Sequence, residues 1–283
     1  MSEFWRALWA PENGFLRLAL LAGILAGVAA SVVGSYVVVR RISYIAGGIS
    51  HCVLGGIGAA QYLAVTRGWT GVDPLWGALL VALLAAGVIG LVGLFAKERE
   101  DTVIGALWVV GMAAGILFLA ATPGYNPDVV GILFGNILLV SKGYLYAVAA
   151  LDVTVVLVCY LFHRQFMAVC FDEEFAAVRG VRAPLFYLLL LLLTAVTVVV
   201  LVRVVGVVLV IALVTLPVAI AGHFARRLPG LMVGACAVSI VATTLGLAVS
   251  YQPDLPPGAT TVLLLGLAYL LLAVARRLPL LRR

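Results

Sequence analysis

The sequence carries little charge. Only 11% of its 283 residues are Asp, Glu, Lys or Arg, against roughly 25% in an ordinary soluble domain. Lysine is nearly absent, occurring only at Lys97 and Lys142. Neither closes a glycine-rich phosphate cradle, so the chain has no P-loop of its own. H-E-x-x-H and G-x-S-x-G are also missing, and no paired-carboxylate catalytic site is evident on a water-facing loop. These absences leave catalysis by this chain unsupported. The four cysteines, Cys52, Cys159, Cys170 and Cys236, show no CxxC spacing. They read as buried thiols, not as a zinc ribbon or a disulfide frame. No basic segment leads into a short apolar core at the N-terminus, so no cleavable signal is expected.

What fills the chain instead is apolar. Hydrophobic residues make up 65% of it, with a mean hydropathy of +1.22, which implies an all-α polytopic membrane protein. The net charge of +6 comes from scattered basic pairs. Such pairs suit the flanks of membrane helices, and no nucleic-acid partner is expected. Nine segments approach the ~20 apolar residues a spanning helix needs: roughly 15–39, 43–66, 74–96, 102–121, 143–163, 184–202, 206–222, 230–250 and 259–275. About eight to nine transmembrane helices therefore form one transmembrane domain over 15–283. Residues 1–14, with Trp5 and Trp9, form an interfacial segment. The stretch Asp128–Ser141 would cover only ~21 Å as a helix, so it reads as a short re-entrant or surface helix.

Basic residues set the orientation. Arg164, Arg179, Arg182, Arg226, Arg227, Arg276, Arg277, Arg282 and Arg283 fall on one side, against Lys142 and Arg203 on the other. The C-terminus is therefore expected in the cytoplasm. In the first half, Arg40, Arg41, Lys97 and Arg99 oppose Arg6, Arg17 and Arg67.

Four places could carry chemistry. On a helix, His51 shares its face with Gly47, Gly55 and Gly58. That face is either a packing groove or room for a ligand beside a ring that binds metal or a proton. Asp152 is the only acid in the middle of a predicted span, and an intramembrane acid is a functional candidate. It shares a stripe with Cys159 and His163, which could relay a divalent cation. The alternative is an Asp paired with a hydroxyl or with Arg203. Pro217 interrupts the seventh segment and frees the Leu213 carbonyl, which predicts a kink or a broken helix beside a pathway. Finally, the long connection Arg164–Pro184 contains F-D-E-E-F-A-A-V-R-G. Asp172, Glu173 and Glu174 suit a helix N-terminus and Gly180 its C-terminal cap. Phe171 and Phe175 form one apolar face. The helix either lies on the membrane or docks a cytoplasmic partner, and its leading acids favour docking over an anionic lipid surface.

Together these pieces resemble the integral-membrane permease of zinc and manganese ATP-binding-cassette importers. The resemblance rests on Gly34–Tyr44 with Ser50–His51, Asp101–Gly105, Leu133–Asn136, Phe171–Val181, Val205–Pro217 and Pro256–Val262, in that order. It implies a cytoplasmic coupling helix at Phe171–Gly180 gripped by a separate ATPase subunit. It also implies an extracytoplasmic metal-binding protein as donor, a homodimer in the bacterial inner membrane, and a transiently bound metal ion without a permanent cofactor. Relatives carry an aspartate three residues before the histidine, where this chain has Gly48, and a carboxylate where it has Asn136. The metal path is accordingly expected at His51, Asp152 and Asn136, with Asp152 supplying the charge missing at Gly48. A proton-coupled secondary transporter is the alternative; a membrane-embedded enzyme lacks the residues it would need.

Overall fold

The computed structural model describes residues 2–69, 73–95, 99–124, 129–135 and 137–277. Among them every regular element is helical. A bilayer admits little else, because backbone groups in hydrocarbon must bond within their own segment. A short α1 (Ser2–Trp9) precedes α2 (Gly14–Val39), α3 (Tyr44–Arg67), α4 (Pro74–Phe95) and α5 (Glu100–Ala121). Then come α6 (Val129–Phe134), a 3-10 turn at Ile137–Leu139, and α7 (Lys142–Leu161). Two short helices, α8 (His163–Phe171) and α9 (Glu173–Val178), lead to α10 (Ala183–Val205), α11 (Val207–Ala221), α12 (Leu228–Tyr251) and α13 (Pro257–Arg277).

Eight of these helices are long and apolar enough to cross a membrane. The ninth expected segment is α11, whose 15 residues reach only ~22 Å. It still runs from one end of the bundle to the other. Gly206, just before it, touches Gly135, while its far end shares a cleft with the end of α2 and the start of α12. The N-terminal helix sits at the Gly206 end, where Gln252 donates to Glu3 at 2.7 Å. The last turn of α13 lies at the opposite end, with Arg276 donating to the His223 carbonyl at 2.7 Å. The first and last helices thus mark opposite ends, which requires an odd number of crossings and makes α11 the ninth.

Burial ranks the helices. In α2 and α10 61% of the most apolar stretch is buried, in α5 and α13 only 17%. The core is therefore α2, α3, α10 and α11, and the rim faces lipid or another protein. The expected re-entrant helix is not continuous: Gly135 takes φ +67°, which ends α6 after Phe134, so only six of the fourteen residues form its α-helix. Asp128 and Asn136 lie outside the described residues. The break expected at Pro217 is also displaced. The α11 helix runs through Pro217 without interruption, and the Thr215 hydroxyl donates to Ile211 O at 2.7 Å, not to Leu213. The real interruption is Gly206, at φ +83° and ψ 164°, a conformation essentially restricted to glycine. It turns α10 directly into α11 with no loop.

Candidate functional site

Most of the glycine face of α3 is filled by α5. A Cβ on Gly47 would lie 2.6 Å from the Trp108 ring, and on Gly55 and Gly58 it would meet the carbonyls of Gly111 and Gly115 at 2.9 and 2.6 Å. Small residues here serve close helix packing. The ligand-sized groove beside His51 is therefore not formed. Instead the imidazole stacks on Trp108, with ring centroids 4.6 Å apart and planes 18° from parallel. His51 Nδ1 is buried and finds no hydrogen-bond partner among the described residues. An imidazole nitrogen that lacks a protein partner keeps its lone pair or proton for something else. Trp108 and Gly47, together with Tyr44, Ile211 and Thr215, line a cavity of about 210 Å³ whose lining does not include His51.

At Gly48 a Cβ would fall 2.7 Å from Ile104 Cγ2 and 3.3 Å from the Ile104 carbonyl. An aspartate at this position has no room unless Ile104 yields.

Asp152 is buried, 6% exposed, and neither carboxylate oxygen has a partner among the described residues. The Ala29 backbone of α2 approaches the carboxylate without meeting hydrogen-bond geometry. Around it are Cys236 and, beyond that, Ser31, whose hydroxyl meets that of Ser239 at 2.9 Å. Arg203 does not reach it. Its guanidinium is exposed and donates to the Tyr144 hydroxyl at 3.2 Å. The expected stripe is also divided: His163 Nδ1 meets the Tyr36 hydroxyl at 2.9 Å. Among the described residues no three His, Cys, Asp or Glu side chains come together as a metal cluster. His51 and Asp152 sit on helices that are not main packing partners of one another: those of α3 are α4, α5, α10 and α11, and those of α7 are α2, α8 and α10.

The Arg164–Pro184 connection is a built elbow of α8 and α9. The Asp172 side chain caps α9 by accepting from the Phe175 amide at 2.9 Å. Gly180, at φ +79°, closes it: its amide donates to Ala177 O, and that of Val181 to Ala176 O, a Schellman end. The two leading acids then part ways. Glu174 is exposed. Glu173 turns inward and pairs with Arg40 at 2.9 Å. Arg40 also donates to the Val169 carbonyl and lies 4.1 Å over the Tyr187 ring. This arginine staples the elbow to α2 and α10. Outward, Phe171, Phe175 and Val178 are 71%, 55% and 86% exposed and form an apolar face edged by Glu174.

Sequence reasoning missed a junction at the other end. Gly135, Gly206 and Gly258 come from three of the separate motifs, yet their backbones meet. A Cβ on Gly206 would lie 2.2 Å from the Gly135 nitrogen, and one on Gly258 2.3 Å from the Phe134 carbonyl. The only signal in the sequence was a glycine in each of those motifs.

Residues 12–276 match the ABC 3 transport family. A Chlamydia muridarum protein named "Probable metal transport system membrane protein" is 40% identical over 258 residues, covering 91% of this chain and 88% of its own length. The manganese transport system membrane protein MntC of Halalkalibacterium halodurans is 30% identical over 249 residues, 88% of this chain and 83% of its own. Among solved structures, PsaBC from Streptococcus pneumoniae in complex with Fab superposes with a TM-score of 0.82 at 28% identity, covering 95% of this chain and 94% of that one.

Proposed function

Because the chain belongs to the ABC 3 transport family, we propose that it is the permease of an ATP-binding-cassette importer that carries a divalent transition-metal ion inward, manganese or zinc, with iron as the third candidate. ATP is hydrolysed on a separate subunit, which docks on the apolar face of α8–α9. That face is the observation that carries the reading. A chain without a P-loop presents three exposed apolar side chains on an acid-capped elbow that is stapled to its core. An extracytoplasmic metal-binding protein delivers the ion, a second copy completes the pathway, and the C-terminus lies in the cytoplasm of a bacterial inner membrane.

His51 is the first residue of the pathway in this reading. Its unpartnered nitrogen suits a passing cation, since a conducted ion must bind weakly enough to leave. The neutral ring is the ligand, so acidification opposes binding. Asp152 favours a second reading, a proton-coupled transporter, because a buried carboxyl without a partner is what a proton relay requires.

Uptake of radiolabelled manganese and zinc into proteoliposomes separates the two. The permease reconstituted with its ATPase should transport only with ATP inside the hydrolysing compartment. His51→Ala should lower uptake at least tenfold while the complex still purifies intact. Uptake driven by a pH gradient without ATP, abolished by Asp152→Asn, would replace the importer reading with the second one.

A further inference from the structure

The end of the bundle that carries α8–α9 holds a second feature, a cleft that borders the docking face at Phe171. It encloses about 590 Å³ between the ends of α2, α11, α12 and α13, a size typical of a ligand pocket. Its floor is apolar, formed by Val38, Val218 and Leu231. Its rim carries His223, Arg226, Arg227 and Arg276, and no Asp or Glu lines it. None of the three arginines has a carboxylate within ion-pair distance among the described residues. Arg276 is nevertheless held in place. It donates to the His223 carbonyl, and its guanidinium lies 5.3 Å over the Phe224 ring. The start of α12 adds to the field. Arg227 occupies its N-cap position without a side-chain cap, and Pro229 in its first turn has no N–H, so the amides of Leu228 and Gly230 lack an intrahelical acceptor at the positive end of this 24-residue helix.

We propose that this cleft binds the phosphate headgroup of an anionic phospholipid, with an acyl chain along its apolar floor. Three unpaired guanidiniums and a free helix start call for a multiply accepting anion. The apolar floor between the ends of spanning helices calls for an anion attached to a chain. A soluble phosphate meets only the first requirement. Basic pockets between membrane helices are suited to anionic headgroups, with roughly a kilocalorie per mole for each arginine near the surface.

The test uses the full-length permease in a neutral detergent, titrated separately with phosphatidylglycerol, phosphatidylcholine of the same chains, and inorganic phosphate. Bound ligand is counted by native mass spectrometry. Phosphatidylglycerol should bind at least tenfold more tightly than phosphatidylcholine. Arg226→Gln, Arg227→Gln and Arg276→Gln should each weaken it about fivefold, and the triple variant about a hundredfold. The double variant Arg6→Gln/Arg67→Gln, at the other end of the bundle, should bind like wild type. Equal affinity for the two lipids overturns the proposal. So does undiminished phosphatidylglycerol binding in the triple variant, or in the three single variants should the triple fail to fold. Displacement of the lipid by inorganic phosphate at similar concentrations reassigns the cleft to a soluble anion and overturns the lipid.

Discussion

Replacing Glu173 and Glu174 by lysine, one at a time, should give two different defects. Glu173 lies 2.9 Å from Arg40, and the two side chains are 39% and 14% exposed. At that distance an effective dielectric of 20 gives an attraction of about 6 kcal/mol. Because Glu173 is more than a third exposed, solvent screening and the entropy of two long side chains reduce the realised value to roughly 1–2 kcal/mol. A lysine loses this and adds a repulsion of similar size, so Glu173→Lys should destabilise the permease itself by roughly 2–4 kcal/mol. For a chain of this size that corresponds to a fall in Tm of about 5–12 °C. Glu174 is exposed and has no ion pair among the described residues, so Glu174→Lys should leave Tm within about 1 °C. The assay is thermal unfolding of the purified permease, followed by capture of the ATPase subunit. Glu174→Lys should weaken capture at unchanged Tm. Adding Arg40→Glu to Glu173→Lys should recover part of the loss, but not all, because Arg40 also holds the Val169 carbonyl and the Tyr187 ring. An unchanged Tm in Glu173→Lys would refute the staple, and unchanged capture in Glu174→Lys would remove Glu174 from the docking surface.

Three further outcomes can be measured. Gly206→Ala should abolish a stable, monodisperse protein, since both the backbone angle and the Gly135 nitrogen exclude a Cβ; Gly180→Ala, with open space around it, should cost only about 1 kcal/mol, and equal Tm values would contradict the junction. Gly48→Asp should destabilise the α3–α5 packing and fail to raise metal uptake, whereas Gly48→Asp with Ile104→Ala should be tolerated; a stable single variant would show that Ile104 yields freely. In a topology test, Gln252→Cys should react with an impermeant maleimide from outside intact cells and Gly230→Cys should not, against low native background, because burial pushes the Cys170 thiol up to about 11 and little thiolate exists at neutral pH; the reverse labelling would invert the molecule.

Much of the fold was legible because hydrophobic length is a direct record of bilayer thickness. The helices and the elbow at Phe171–Gly180 follow from apolar runs and capping chemistry alone. The length of α11 was legible too, since the expected segment 206–222 differs from Val207–Ala221 by one residue at each end; that its start is a glycine-only angle at Gly206, and that the helix runs on through Pro217, was not. The site was read less well. Periodicity placed His51 and three glycines on one face, but it could not say that α5 fills most of that face. Nor could spacing within one helix reveal that Glu173 turns toward an arginine 133 positions earlier, or that His51 and Asp152 stand on helices that are not main packing partners. Which face of a membrane helix meets protein is decided by partners distant in sequence, and glycine marks close approach without naming the neighbour.

The meeting of Gly135, Gly206 and Gly258 has a mechanical consequence. Where side chains separate two helices, a small displacement is absorbed by rotamer changes. Here backbone rests on backbone, and nothing compliant lies between. The end of α6, the bend between α10 and α11, and the first turn of α13 must shift as one body or lose contact altogether. From that body α11 runs as a single strut of ~22 Å to Gly222, at the end of the molecule that carries α8–α9. A push applied at the Gly222 end therefore arrives at the far end of the bundle as a movement of three chain segments together, with no slack in which a fraction of it could be lost.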